Sequence, residues 1–297
     1  METVYLSPSG IATYENCPRA YYLDRVLKVR TADTSCALGF GSSLASAMES
    51  FVGGIVTGTF VDPVPVFQQG WATFCRDNAV KYGRYDSQEG LAATGTALME
   101  MFPDAWDREG LTVALDSTGQ PMVERKLTVD LGEGTRLVTK LDLMAFNRNW
   151  ELLLIDQKTT KTPTDIRFAL LGEQLTAYQM VVTAHAPQLG LPQIDGLAYW
   201  ELIKRAIPKK PGAGQGPTIE AIGAVKPRSN ADVTTFVSKA QRIAQRIRDR
   251  DFPKTPRMAW NSPCMGCAYL DLCAQRRTEG LTFRSEETKE AVLKLAA

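Results

Sequence analysis

Histidine occurs once in this chain, at position 185 of 297 residues. Any soft-metal centre must therefore rest on thiolates rather than imidazoles. No run approaches the roughly 18 consecutive apolar residues of a membrane span, so no membrane partner is expected. The opening METVYLSPSGIATYENCPRAYYL has no basic stretch followed by an apolar one. It does not read as a secretion signal, and the expected location is cytoplasmic. Neither charge sign is in surplus: 34 Lys and Arg meet 33 Asp and Glu, for a net charge of +1. No global polycation announces a nucleic-acid partner, although a local basic groove can steer one while the rest of the surface compensates. Internal repeats are absent. What is present is ordinary for a globular chain, with 44% hydrophobic and 23% charged residues, enough for a sizeable core.

The six cysteines divide into two groups. In a reducing compartment they are metal ligands or buried thiols rather than disulfides. Cys36 and Cys75 stand alone and read as small buried hydrophobes. Cys264, Cys267 and Cys273 form C-x2-C-x5-C, a spacing open to zinc, an iron–sulfur cluster or a redox pair. No histidine lies nearby, and Asp271 is a poor soft-metal ligand. A fourth thiolate is then needed, and Cys17, Cys36 and Cys75 are the candidates.

Along the chain, hydrophobic periodicity predicts a helix from Pro8 that breaks near Cys17-Pro18. A second helix is expected over 38–56, closed by Gly53-Gly54. Residues 57–110 read as a helical insertion. The character then changes to β: LTVALDS, PMVERKLTVDL, RLVTKLDLMAF and WELLLIDQKT are apolar, turn-separated runs. A helix over 165–185 is expected to carry an apolar stripe of Leu170, Leu171, Leu175, Tyr178 and Val182. GLAYWELIK is a further strand. RAIPKKPGAGQGP is a Pro/Gly/Lys-rich loop. Residues 231–250 form a basic helix bearing Lys239, Arg242, Arg246, Arg248 and Arg250. Helical blocks around a central sheet make the fold class α/β.

The segment LDLMAFNRNWELLLIDQKTT concentrates the chemistry. One strand delivers Asp142, a turn reverses the chain, and the next strand ends in Asp156-Gln157-Lys158. Side chains alternate along a strand, so Asp156 and Lys158 share a face. Two carboxylates at a sheet's end make a site for a hard cation, with the Gln157 carbonyl as an additional ligand. Phosphodiester hydrolysis needs such a set, because the phosphate charge must be neutralised and a water deprotonated. Lys158 can orient that water or stabilise the developing charge. The bland alternative is a solvated ion pair at a strand end.

An Asp on one strand, Asp-x-Lys-Thr at the end of the next, and Gln-x3-Tyr on the following helix (Gln174, Tyr178) resemble the PD-(D/E)xK nuclease superfamily, RecB-like branch. The resemblance implies a restriction-endonuclease-like core, a mixed central sheet flanked by helices. It implies catalysis by Asp142, Asp156 and Lys158, a Mg2+ or Mn2+ ion on Asp142, Asp156 and the Gln157 carbonyl, and Gln174 and Tyr178 contacting DNA or supporting the site. An ordinary amphipathic helix with Tyr178 in the core is the alternative for that pair. The branch also carries G-x3-H-x3-E. Here Gly41, Ala45 and Glu49 occupy that pattern, so the histidine position holds alanine and Glu49 is left to assist through water. His185 lies outside the pattern and reads as a helix C-terminal residue.

Cys17-Pro18 followed by Tyr22, far upstream of C-x2-C-x5-C, is similar to the AddB-type and CRISPR-adaptation iron–sulfur nucleases. That resemblance selects Cys17 as the fourth ligand of a 4Fe-4S cluster with Cys264, Cys267 and Cys273. It implies that a cluster-bearing segment, 255–277, pairs with residues 7–30 within one nuclease domain spanning 1–297. Closing so long a loop would make the cluster structural. The implied activity is a metal-dependent DNA exonuclease acting on ends or single strands in recombination, repair, replication or CRISPR adaptation. A non-catalytic DNA-binding subunit is the alternative. No G-x4-G-K-[ST] occurs, so unwinding would fall to a helicase partner, or the chain would work with a CRISPR-adaptation or recombination protein. Arg205, Lys209, Lys210 and the basic helix are candidate phosphate contacts, or simply a solvated face.

Overall fold

The computed structural model describes residues 2–210, 212, 214–255 and 262–295. Positions 256–261 of the expected 255–277 segment lie outside the described residues, as do 211 and 213 of the Pro/Gly loop. The chain divides into two units. One comprises Thr34–Val129 and Thr139–Thr234; the other comprises Met1–Asp33, Asp130–Val138 and Thr235–Ala297.

The first unit is built on a mixed sheet. The Asp142 strand, Thr135–Phe146, enters this unit at Thr139 and runs antiparallel to the Asp156 strand, Leu152–Thr160. The Asp156 strand runs parallel to Gly196–Ile203, and Thr218–Ile219 and Gly223–Val225 add to the far side antiparallel. The apolar runs in the sequence dictate this arrangement. LLLI in the Asp156 strand is buried throughout, as expected for a strand covered on both faces.

Three helices cover one face: Cys36–Thr57, Pro63–Asp77 and Gln88–Glu109. Phe40, Leu44, Phe102 and Trp106 from them pack with Leu143, Ile155, Trp200 and Leu202 of the sheet. Each such side chain taken from water contributes roughly 1.5–3 kcal/mol. Pro63 opens its helix behind Asp62, whose carboxylate accepts from the Val64 amide at 2.9 Å, a well-formed N-cap. A Cβ at Gly95 would stand 1.9 Å from Phe67 Cζ, so only glycine permits that ring to seat against the neighbouring helix.

Two expectations for the helices need correction. The 38–56 helix does not stop at Gly53-Gly54 but runs to Thr57. Gly58 ends it with φ +71°, the left-handed cap that glycine adopts without steric cost. The 165–185 helix is two helices, Arg167–Leu171 and Glu173–Leu189, divided at Gly172, whose backbone is extended (φ −64°, ψ 107°). The break rotates the stripe. Leu175, Tyr178 and Val182 are buried against Leu141, Leu152, Leu154 and Leu197 on the second face of the sheet, whereas Leu170 and Leu171 are 50% and 76% exposed.

Arg228 fixes the break. Its guanidinium donates to Thr176 Oγ1 at 3.0 Å, to the Ala169 carbonyl, and to the Gly172 carbonyl at 3.2 Å. The Gly172 carbonyl also accepts the Thr176 amide of its own helix at 3.3 Å, so Arg228 ties the two helix ends together without replacing that bond. Gln179 exchanges two hydrogen bonds with the Arg228 backbone.

The second unit joins both ends of the chain. Val4–Leu6 pairs in parallel with Thr135–Leu137. The helix Pro8–Asn16 ends at Cys17, and Pro18–Tyr21 follows. Tyr14 donates to the Asp251 carbonyl at 2.6 Å, and Phe252 stacks with Tyr22. Tyr269 donates to the Val29 carbonyl at 3.0 Å within a small core of Leu23, Val29, Leu272 and Val292.

Candidate active site

Leu143 pairs with Ile155 across the antiparallel strands. One residue further along that register, Asp142 stands opposite Asp156. Like charges directly opposed on a sheet repel, and here water cannot screen them, because Asp156 is fully buried. The backbone amide of Gln157 donates to Asp142 Oδ2 at 2.9 Å. That bond favours the carboxylate, but burial and the neighbouring Asp156 charge outweigh it and push the Asp142 pKa up to about 7. Burial also raises that of Asp156, against the opposing pull of Lys158.

Lys158 Nζ lies 2.7 Å from Asp156 Oδ2. That contact is an ion pair without hydrogen-bond alignment, and Oδ2 has no hydrogen-bond partner among the described residues. The aligned bond of Lys158 goes to Gln174 Oε1 at 2.9 Å. The Gln174 amide group donates to Asp156 Oδ1 at 2.8 Å and to Tyr178 Oη at 2.7 Å. Gln174 therefore touches the carboxylate, the lysine and the tyrosine at once. Burial, followed by the Asp142 and Asp156 charges, raises the Tyr178 pKa, so its hydroxyl keeps its proton. Tyr178 is both a core residue and a member of this network, so the two sequence readings of it are not exclusive.

A cavity of about 280 Å3 opens beside these groups, lined by Gly41, Ala45, Glu124, Asp142, Gln157, Lys158 and Thr159 among others. Glu49 joins Ala45, Glu124 and Asp142 around an adjoining recess. The strands and the Cys36–Thr57 helix thus bring together the G-x3-A-x3-E positions and Asp142. Glu124 escaped the sequence reading, because a glutamate within PMVERKLTVDL carries no motif. In three dimensions it has φ +50°, forms an ion pair with Lys140, and is only 15% exposed. A left-handed non-glycine residue costs on the order of 1–2 kcal/mol, and such strain concentrates at functional sites.

A divalent cation suits this chemistry. Asp156 Oδ2, buried with the Lys158 ammonium at 2.7 Å but no aligned hydrogen bond, sits beside a second carboxylate that repels it, and a hard cation relieves that repulsion. Among the described residues no three His, Cys, Asp or Glu side chains stand at metal-holding spacing. The cation would rest on two carboxylates, a backbone carbonyl and water.

Elsewhere, in the unit containing both chain ends, Cys17, Cys264, Cys267 and Cys273 line one cavity of about 510 Å3 with Arg19, Lys254 and Met265. The Cys267 amide donates to the Cys264 carbonyl at 3.1 Å, and the Tyr269 amide reaches Cys267 Sγ at 3.5 Å. Burial raises the pKa of Cys267 and Cys273. Four convergent thiols match a soft metal or cluster in donor type; their sulfurs are not at ligand spacing. Cys36 is buried and Cys75 half-buried, its Sγ 3.6 Å from Tyr82 Oη. His185 places Nδ1 2.9 Å from the Val181 carbonyl, one helical turn back. On the basic helix, Lys239 pairs with Glu15 at 3.0 Å and Arg246 with Asp251 at 2.7 Å.

A family model described as the PD-(D/E)XK nuclease superfamily matches residues 5–274. The chain belongs to the PD-(D/E)XK nuclease superfamily. Its α/β architecture, a mixed central sheet with helices on both faces, fits the nuclease core of that superfamily. No curated protein sequence gives a significant match. Among solved structures, a similar chain is the one titled "Crystal structure of SSO0001", 11% identical, with 94% of this chain and 89% of that chain covered at a TM-score of 0.34. Among the described residues no helix is long and apolar enough to cross a membrane.

Proposed function

We propose that this PD-(D/E)XK nuclease is a divalent-metal-dependent deoxyribonuclease of the RecB-like branch, acting on DNA ends or single strands. The observation that carries the reading is the opposition of Asp142 and buried Asp156, with Lys158 2.7 Å from Asp156 Oδ2 as the one cation in ion-pair contact with the pair among the described residues. Asp142, Asp156 and the Gln157 carbonyl would hold Mg2+ or Mn2+. The bound cation would neutralise phosphate charge and acidify a water.

The chain's own groups then have distinct roles. Lys158 presents its ammonium to the attacked phosphate and stabilises the negative charge that develops there. Gln174 positions Lys158 through the 2.9 Å bond and keeps Asp156 oriented. Tyr178 buttresses Gln174. Water adds to phosphorus, the P–O bond to the leaving nucleoside oxygen breaks, and that oxygen takes up a proton. Glu49 and Glu124 extend the acidic lining and assist cation binding through water.

The four-cysteine cavity supports a second part of the reading. Cys17, Cys264, Cys267 and Cys273 would ligate a 4Fe-4S cluster that ties 7–30 to the 255–277 segment and serves as a structural staple of a single nuclease domain carrying 57–110 as a helical insertion. The partners on this reading are DNA and a helicase, recombination or CRISPR-adaptation protein, in the cytoplasm. A non-catalytic DNA-binding subunit is the competing reading, and the alanine at position 45 is what favours it.

Manganese binding, followed by electron paramagnetic resonance of the free ion, separates the two. The nuclease reading expects saturable binding that Asp142→Asn weakens by at least about tenfold, since a lost carboxylate contact is worth 1.4 kcal/mol or more. Absence of saturable binding would leave the competing reading in place.

A further inference from the structure

Lys204 stands one residue past the end of the Gly196–Ile203 strand, and its amide donates to the Thr160 carbonyl at 2.8 Å. Its side chain lies back over the buried Phe40 ring, with Nζ 5.6 Å from the centroid. The residue is half-buried, yet no described carboxylate forms an ion pair with Nζ. The carboxylate in its vicinity, Asp86, is paired with Lys161 at 3.7 Å. Two ammonium groups thus share one carboxylate and leave a positive charge in excess. Burial, and then the Lys161 charge, lower the Lys204 pKa. A cation–π contact returns about 0.5–2 kcal/mol between exposed and desolvated sites, whereas desolvating an unpaired ammonium costs more.

The position supplies a use for that cost. Thr159 and Leu202 line the cavity beside Asp142 and Lys158. Lys161 and Lys204 follow them by two residues, each one residue past the end of its strand. Three residues of strand separate Lys158 from Lys161, about 10 Å, or about three nucleotides of a strand rising 3.4 Å each. Both lysines thus leave neighbouring parallel strands just beyond the cavity's Thr159 and Leu202, within reach of the backbone of a DNA strand that enters there. We propose that Lys204, seconded by Lys161, is a phosphodiester-binding site distinct from the catalytic carboxylates, holding a phosphate one to three nucleotides from the one attacked. The proposal rests on the nuclease reading above.

The test is Lys204→Met, which keeps the aliphatic stem over Phe40 and removes the charge. Binding of an end-labelled single-stranded oligonucleotide is measured by anisotropy across a salt titration, in EDTA, with Asp156→Asn in every protein so that nothing is cleaved. Lys204→Met should weaken binding about five- to tenfold at low salt and lower the slope of log affinity against log salt by about 0.7, one phosphate contact's worth on a single strand. Its melting temperature should rise, because an unpaired half-buried charge is gone. Lys204→Arg should restore the slope, and Lys294→Met, at an exposed position in the C-terminal helix, should leave it unchanged.

Replacing single phosphates by neutral methylphosphonates then locates the contact. One position should cost the Lys204 protein what Lys204→Met costs, and cost the Met variant nothing. Unchanged slope in Lys204→Met, or strictly additive losses at every position, overturns the inference while leaving the nuclease reading intact. A Lys204 protein that binds no oligonucleotide overturns the nuclease reading and this inference with it.

Discussion

Asp142 and Asp156 face each other across an antiparallel strand pair, one residue beyond the Leu143–Ile155 pair, where Asp156 is fully buried from water. The pair is unfavourable unless a proton or a cation joins it. In the metal-free protein a proton does so, since Asp142 is pushed up to about 7 from 3.8. The sign follows from linkage. Below about pH 4 both folded and unfolded chains hold the proton. Between pH 4 and 7 the unfolded chain releases it and the folded chain keeps it, so this residue's contribution to stability falls as pH rises. Above about 7 the penalty is constant, up to about 4 kcal/mol at 1.36 kcal/mol per pH step. Metal-free wild type should therefore lose melting temperature relative to Asp142→Asn between pH 4 and 7, and Mn2+ at pH 7.5 should recover it. A difference between the two proteins that does not change with pH would contradict the coupling.

Removing Lys158 should affect turnover more than binding. Lys158→Ala is expected to lower the rate about a hundredfold or more, the usual size for a lost transition-state contact, with DNA affinity within a fewfold of wild type. Gln174→Ala frees Lys158 from its 2.9 Å anchor and should reproduce part of that loss, with the double variant no worse than Lys158→Ala alone. Additive losses would assign Gln174 a role independent of the lysine.

Ala45 lines the cavity shared with Asp142 and Glu124. Ala45→His places an imidazole where the RecB-like branch, which the sequence resembles, carries its ligand, and on the proposed reading should tighten Mn2+ binding about ten- to a hundredfold. Looser or unchanged binding in a protein that melts normally would show that the helix Cys36–Thr57 does not aim position 45 at the cation.

For the cysteines, anaerobically purified protein should absorb broadly near about 400 nm and contain about four irons per chain. Cys17→Ser should bleach it, whereas Cys36→Ser and Cys75→Ser should not. Stoichiometric zinc without iron would rule the cluster out.

Much of the sheet was legible from sequence because its strands are continuous apolar runs with turn residues between them, and LLLIDQK announces both the strand and the candidate site proposed at its end. The helix boundaries at Gly58 and Gly172 were less legible. Gly54 could pass inside a helix, whereas Gly172 is extended at a break that Arg228, 56 positions away in sequence, bridges by donating to the Ala169 and Gly172 carbonyls; no local pattern contains those contacts. Glu124 and Lys204 were invisible for a similar reason. Each matters through burial and the absence or identity of a charged neighbour, which are properties of the folded chain and not of spacing. Gln174 was named from its motif, but its simultaneous hold on Asp156, Lys158 and Tyr178 required coordinates.

The most direct measurement compares wild type with Asp156→Asn on end-labelled single- and double-stranded DNA, with Mg2+, with Mn2+ and with EDTA. Wild type, its cysteine site intact, should shorten labelled DNA with either cation and not in EDTA, and Asp156→Asn should be inactive while still binding DNA. Cleavage that survives in Asp156→Asn, or a wild type that cleaves neither substrate with either cation, would contradict catalysis by the Asp142–Asp156 pair.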